Sequence, residues 1–169
     1  RYIITITKNY GETIQLSSPS KEGYTFKKWT TLNNIDYLSN EYTFNGEDET
    51  LTANYGVDLY NLTIYLDGGT DNTEYSNTYT IDDVITLENP TKEGYTFIGW
   101  SGTDIDGLSM NVTISHMMGD RTYTANYSIN NYTLTINPNG GIYNNTSSNT
   151  EITKAYNDTY TLETPVREG

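Results

Sequence analysis

Apolar and polar positions alternate along this chain in short runs with a period of two, the pattern of half-buried β-strands. Residues 1–16 read as a hairpin: Ile4 and Ile6 alternate with Thr5 and Thr7, Lys8-Asn9-Tyr10-Gly11 turns, and Ile14 and Leu16 resume. Pro19 ends that pairing because it has no N–H to give to a ladder. Strands are then predicted at Tyr24–Trp29, Tyr42–Phe44 and Leu51–Tyr55, with Asn45-Gly46 as a turn. A second series follows at Tyr60–Leu66, Tyr75–Ile81, Val84–Leu87, Tyr95–Trp100, Asn111–Ile114 and Arg121–Tyr127. A third opens with Tyr132–Ile136 and Ile152–Leu162. No segment keeps a helical period over 11 residues or more. One or two helical turns are expected at Val112–Met118 and one at Asp82–Leu87.

The three series are copies. Pro90 precedes Lys92-Glu93-Gly94-Tyr95-Thr96-Phe97-Ile98-Gly99-Trp100, and Pro19 precedes Lys21-Glu22-Gly23-Tyr24-Thr25-Phe26-Lys27-Lys28-Trp29. Pro165 precedes Arg167-Glu168-Gly169. Ala-Asn-Tyr recurs at 53–55 and 125–127, and Tyr60–Gly69 matches Tyr132–Gly141. The unit is 71 or 72 residues, a spacing read from these matches, so the chain is expected to hold an array. The expected division is a partial module at 1–56 lacking its first strand, a complete module at 57–128, and a partial module at 129–169 ending before its motif strand.

Composition narrows the partners. Net charge is −13 with pI near 4.2, which argues against nucleic acid, since phosphate binding needs a Lys/Arg surplus. The same charge disfavours anionic lipid. Apolar content is 34%, yet 17 tyrosines and many threonines suit strands and not a disordered chain. No apolar run approaches the length of a membrane span. With no Cys, disulfides and thiolate metal sites are excluded.

Taken together, Tyr132–Ile136 with Asn139-Gly140-Gly141, the Pro90–Trp100 motif and Tyr123-Thr124-Ala125-Asn126-Tyr127 resemble the Listeria–Bacteroides repeat, also called the internalin B-repeat. The resemblance covers nearly the whole chain. It implies an α+β, β-rich fold: tandem β-grasp-like modules, each a small mixed sheet with at most a short helix. It further implies an extracellular module of bacterial surface proteins, with no catalytic residues and no cofactor. The first copy departs from the pattern at Lys27-Lys28, where the second has Ile98-Gly99.

Each chemical candidate has a plainer reading. Tyr24, Phe26, Trp29, Tyr95, Phe97 and Trp100 would suit a sugar-stacking platform, but a module of ~70 residues buries only about 60% of its unfolded surface and needs such side chains for its core. Trp100 falls out of alternation with Tyr95 and Phe97, which predicts a bulge or strand end near Gly99. Asp67 and Asp71, and separately Asp104 and Asp106, have the spaced oxygens of calcium loops but lack the closing glutamate, so turns are favoured. His116 is the single histidine, poor support for a nucleophile-and-base pair or for zinc. Glu22, Glu93 and Glu168 lie a module apart, too far for paired acid–base work. Lys154 and the many Asn allow an isopeptide bond that no spacing supports. Asn-x-Ser/Thr sequons such as Asn61 and Asn126 are expected by chance in this composition.

The sequence therefore predicts a non-enzymatic extracellular spacer, stalk or adhesin rod on a bacterial cell surface, associated with the wall. Its expected partners are neighbouring repeat modules. The alternatives are an adhesin module for glycan, host or matrix protein, and a filament in which copies of the chain exchange strands.

Overall fold

The computed structural model describes residues 3–167 and is β-rich; no helix occurs among the described residues. The strands are β1 (Thr13–Gln15), β2 (Tyr24–Thr30), β3 (Asp36–Tyr37), β4 (Glu41–Thr43), β5 (Thr52–Val57), β6 (Tyr60–Tyr65), β7 (Thr78–Tyr79), β8 (Val84–Thr86), β9 (Tyr95–Gly102), β10 (Thr113–Ser115), β11 (Arg121–Ile129), β12 (Asn131–Ile136) and β13 (Thr150–Ala155). The start of the first hairpin, at Arg1 and Tyr2, and the third motif copy at Glu168-Gly169 lie outside the described residues.

The chain forms two compact units, and neither is continuous in sequence. The first runs up to Tyr60 and takes in Thr78–Asp83 and Ser115–Gly119. The second comprises Asn61–Asn77, Val84–Ile114 and the chain from Asp120 onward.

In the first unit β2 lies between β3 and β5, antiparallel to both. β1 pairs antiparallel with β4, Ile14 facing Tyr42. The first hairpin expected over 1–16 is replaced by this pairing. Ile3, Ile4 and Ile6 are exposed and carry no strand. Alternation alone marked them as strand formers, but a strand also needs a neighbour with a free edge. The buried apolar residues of this unit are Tyr79 and Ile81, at 1% and 8% exposure, and the Tyr79 hydroxyl donates to the Gly119 carbonyl.

In the second unit β11 is central, parallel to β6 and antiparallel to β9. Parallel strands cannot be joined by a tight turn, which is why 55 residues, by the numbering of Tyr65 and Arg121, separate these two. β8 pairs with β10. The strands expected at Val84–Leu87 and Asn111–Ile114 are present, and the helical turns also expected at Asp82–Leu87 and Val112–Met118 are not. Val84-Ile85-Thr86 and Thr113-Ile114-Ser115 are rich in β-branched side chains, which lose χ1 freedom in a helix and pack well on a pleat. The core gathers Leu62, Leu87, Trp100, Val112, Ile114, Tyr123 and Ala125. β12 and β13 form an antiparallel hairpin, Leu134 opposite Ile152.

The repeat seen in sequence is repeated in structure. β1 with β4 corresponds to β8 with β10, and β2 with β5 to β9 with β11.

Candidate functional site: the aromatic motif strands

Each motif begins with a turn. The Tyr24 N–H donates to the Lys21 carbonyl, and the Tyr95 N–H to that of Lys92, both at 3.0 Å. Gly23 (φ +71°) and Gly94 (φ +75°) stand in this turn in the left-handed region that glycine enters without steric cost. The turn brings the lysine back over the aromatic that follows it. Lys21 Nζ lies 3.4 Å from the Tyr24 ring centroid, and Lys92 Nζ lies 4.6 Å from that of Tyr95 and 5.0 Å from that of Tyr127. A cation at this distance is attracted by the ring's negative face.

The strands then carry the same bulge. Phe26 faces Tyr55 and Lys28 faces Asn54, so Lys27 is the extra residue. Phe97 faces Tyr127 and Gly99 faces Asn126, so Ile98 is the extra residue, one before Gly99. One added residue inverts the alternation and returns the tryptophan to the face of the preceding aromatics. The rings meet accordingly: Phe26 and Trp29 at 5.3 Å, Phe97 and Trp100 at 5.6 Å, Phe26 and Tyr55 at 6.0 Å, Phe97 and Tyr127 at 5.8 Å.

Burial separates the two copies. Trp100 has 0% exposure, whereas Trp29 is half-buried. Tyr24, Phe26, Tyr95 and Phe97 are also half-buried. In the second copy β9 closes against Ser109 through Trp100, whose N–H donates at 2.7 Å and whose carbonyl accepts at 2.9 Å. In the first copy β3 takes that place, and Lys28 pairs with Asp36 at 2.6 Å. Lys28 therefore has a surface ion pair where the second copy has the buried Gly99.

The acidic candidates are dispersed. The Asp67 backbone carbonyl accepts from Lys92 Nζ at 2.7 Å. One Asp71 carboxylate oxygen accepts the Thr73 N–H at 3.2 Å. Burial, then the charges of Asp67 and Asp71, raise the pKa of the Tyr127 hydroxyl, which donates to the Leu66 carbonyl at 2.9 Å. The Asp104 carboxylate accepts from the Arg121 guanidinium at 2.8 Å. Among the described residues no three His, Cys, Asp or Glu side chains gather as a metal site. His116 is exposed, in a left-handed backbone conformation. Arg121, the buried charge at 7% exposure, and Tyr156, packed by the second motif, escaped sequence reasoning. Tyr156 carried a signal nonetheless, since it stands nine residues before Pro165 as Ile81 does before Pro90.

These two aromatic turns lie in the part of the chain that is shared with known proteins. The family model of the Listeria-Bacteroides repeat domain matches residues 3–57 and 60–126. A protein of Evansella cellulosilytica described as a Gly-rich membrane protein is 28% identical over 144 residues, 80% of this chain and 16% of its own length. A second membrane protein of that organism is 27% identical over 87% of this chain and 21% of its own length. Internalin H of Listeria monocytogenes is 29% identical over 73% of this chain and 22% of its own length. The chain thus spans less than a quarter of these curated relatives. No solved structure matches it significantly.

Proposed function

As the chain belongs to the Listeria-Bacteroides repeat domain family, we propose that it is a non-enzymatic tandem-repeat segment of a bacterial surface protein. In this reading it acts outside the cell as a spacer or stalk. The observation that carries the proposal is the duplication of one structural unit whose recurring polar contacts tie backbone and neighbouring strands together, as Asn54 does at the Thr52 carbonyl and Asn126 at the Thr124 carbonyl. The turn, the lysine over tyrosine, the bulge and the aromatic cluster occur twice. What the copies share is what holds a small sheet together, and what differs, as at Lys28 and Gly99, faces outward or closes a strand. The mixed pairing of β6, β11 and β9 supports a β-grasp-like module with the helix omitted. Modules divided near residues 56 and 128 remain part of this proposal.

The test is to vary repeat number in the parent protein on its own cell. Deleting 57–128, and in another strain duplicating it, should lower and raise the distance of the distal domain from the envelope, measured by fluorescence distance. An unchanged distance in both strains would sink the spacer reading. Saturable binding of residues 1–169 to a glycan or matrix-protein array would favour the adhesin alternative.

A further inference from the structure

Gly23 and Gly94 are buried although the glutamate before each is exposed. What buries them is the following repeat. A Cβ on Gly23 would stand 2.5 Å from Cγ2 and 2.8 Å from Cδ1 of Ile81, and one on Gly94 would collide with the ring of Tyr156. Real Cβ atoms do not approach heavy atoms so closely. Each glycine is therefore a socket, and the side chain in it occupies the same repeat position in both cases, nine residues before the next proline.

The surroundings recur as well. Ile81 and Tyr156 sit on equivalent turns, in which the Asp83 N–H donates to the Thr80 carbonyl and the Asp158 N–H to the Ala155 carbonyl. The socket carbonyls are held alike, Gly23 by the Asp58 N–H and Gly94 by the Asn130 N–H, both at 2.9 Å. The side chains of Asp58 and Asn130 accept the hydroxyls of Thr25 and Thr96, both at 2.6 Å. The tyrosine after each socket also reaches the next repeat: the Tyr24 hydroxyl donates to Asp82, and the Tyr95 ring lies 6.2 Å from that of Tyr156. The first arrangement lies wholly within the first unit and the second wholly within the second.

We propose that the Lys-Glu-Gly-Tyr turn is a docking socket for the next repeat, filled by the side chain nine residues before that repeat's proline. The two together form a connector that makes each repeat depend on its successor. The partner chemistry is specific: a single apolar or aromatic side chain at the corner of a tight turn, with a carboxylate or ring beside it for the tyrosine. Tyr10 is the equivalent plug of the first repeat. It stands nine residues before Pro19, its turn closes with the Glu12 N–H on the Asn9 carbonyl, and it is 82% exposed. The surface that fits it is another Lys-Glu-Gly-Tyr turn. The proposal rests on the tandem-repeat reading and not on any location of the protein.

A double-mutant cycle on the whole chain tests it, since groups in contact show non-additive effects. Gly94→Ala introduces both backbone strain and the steric block. Gly107→Ala, at φ +76° with nothing within 4 Å of its Cβ, introduces strain alone. The expected result is a lower guanidinium midpoint for Gly94→Ala than for Gly107→Ala. Adding Tyr156→Ala to Gly94→Ala should then lower the midpoint by much less than Tyr156→Ala does in the natural chain. Equal midpoints for the two glycine variants, or strictly additive shifts, would overturn the proposal. Where Gly94→Ala does not fold, Tyr156→Ala alone decides by hydrogen exchange. Lost protection in β9 with recovery in Tyr156→Phe supports the connector, and unchanged β9 protection overturns it.

Discussion

Trp100 has no exposed surface, and its indole N–H is buried without a hydrogen-bond partner. Its contribution therefore comes from packing, and the orphaned donor subtracts from it. Trp100→Ala is expected to cost about 3–5 kcal/mol by cavity formation. Trp100→Phe should cost only about 1 kcal/mol, because it keeps a ring and removes the orphan. Urea midpoints of both variants check this, and equal losses would contradict it. Titration acts at the same scale. The Asn61 backbone N–H and then its side-chain amide donate to Asp120 and hold its pKa below the usual carboxylate value. A depressed folded pKa means stability that is present above the unfolded value and lost as pH falls through the folded one. Asp120→Asn should therefore flatten the acid limb of the stability curve. At the other end, the hydrogen bond to Asp82 raises the pKa of Tyr24, and burial raises those of Tyr60, Tyr127 and Tyr156. Raised phenols favour the fold below about pH 10 and withdraw that support as pH climbs through their folded values. Phenolate absorbance should thus rise together with loss of near-ultraviolet circular dichroism.

At the level of strands, much was legible in the sequence because local pattern suffices for it. Tyr95–Trp100 alternates, and its failure of alternation at Trp100 announced the bulge seen at Ile98. Pairing was less legible. Nothing local says that Ile14 meets Tyr42, or that Leu62 lies parallel beside Arg121. The short apolar runs at 84–86 and 113–115 suited a helical turn or a strand, and the presence of each other as partners decided for strand. Gly102, near the end of β9, exposes this dependence on a partner. A Cβ there would strike the Thr122 carbonyl and come within 2.9 Å of the Tyr123 Cα, and the backbone has φ +141°. Gly102→Ala should cost about 2–4 kcal/mol by prising β9 from β11. Preserved amide protection across Tyr123–Ile129 in that variant would contradict it.

Across the whole molecule, a net charge of −13 is set against two ion pairs found among the described residues, Lys28 with Asp36 and Arg121 with Asp104. Self-repulsion then outweighs exposed pairing. Raising salt from about 0.01 M to about 0.15 M shortens the screening length from roughly 30 Å to roughly 8 Å. The thermal midpoint should therefore rise, and a fall would show that attraction dominates. The least legible feature at this scale is that each unit is assembled from separated stretches of chain, because periodicity locates copies but not which stretches pack together. That assembly bears on time. A polypeptide emerges from a ribosome or an export channel N-terminus first, yet the first unit draws on Thr78–Asp83 and Ser115–Gly119. It stays unfinished while the next repeat is delivered, with Gly23 lacking Ile81 and Tyr24 lacking Asp82. Chains stalled before Thr78 should be cut by protease within Tyr24–Thr30, and chains stalled well beyond Gly119 should resist. Each repeat is then closed by its successor during delivery, and the order of emergence sets the order of folding.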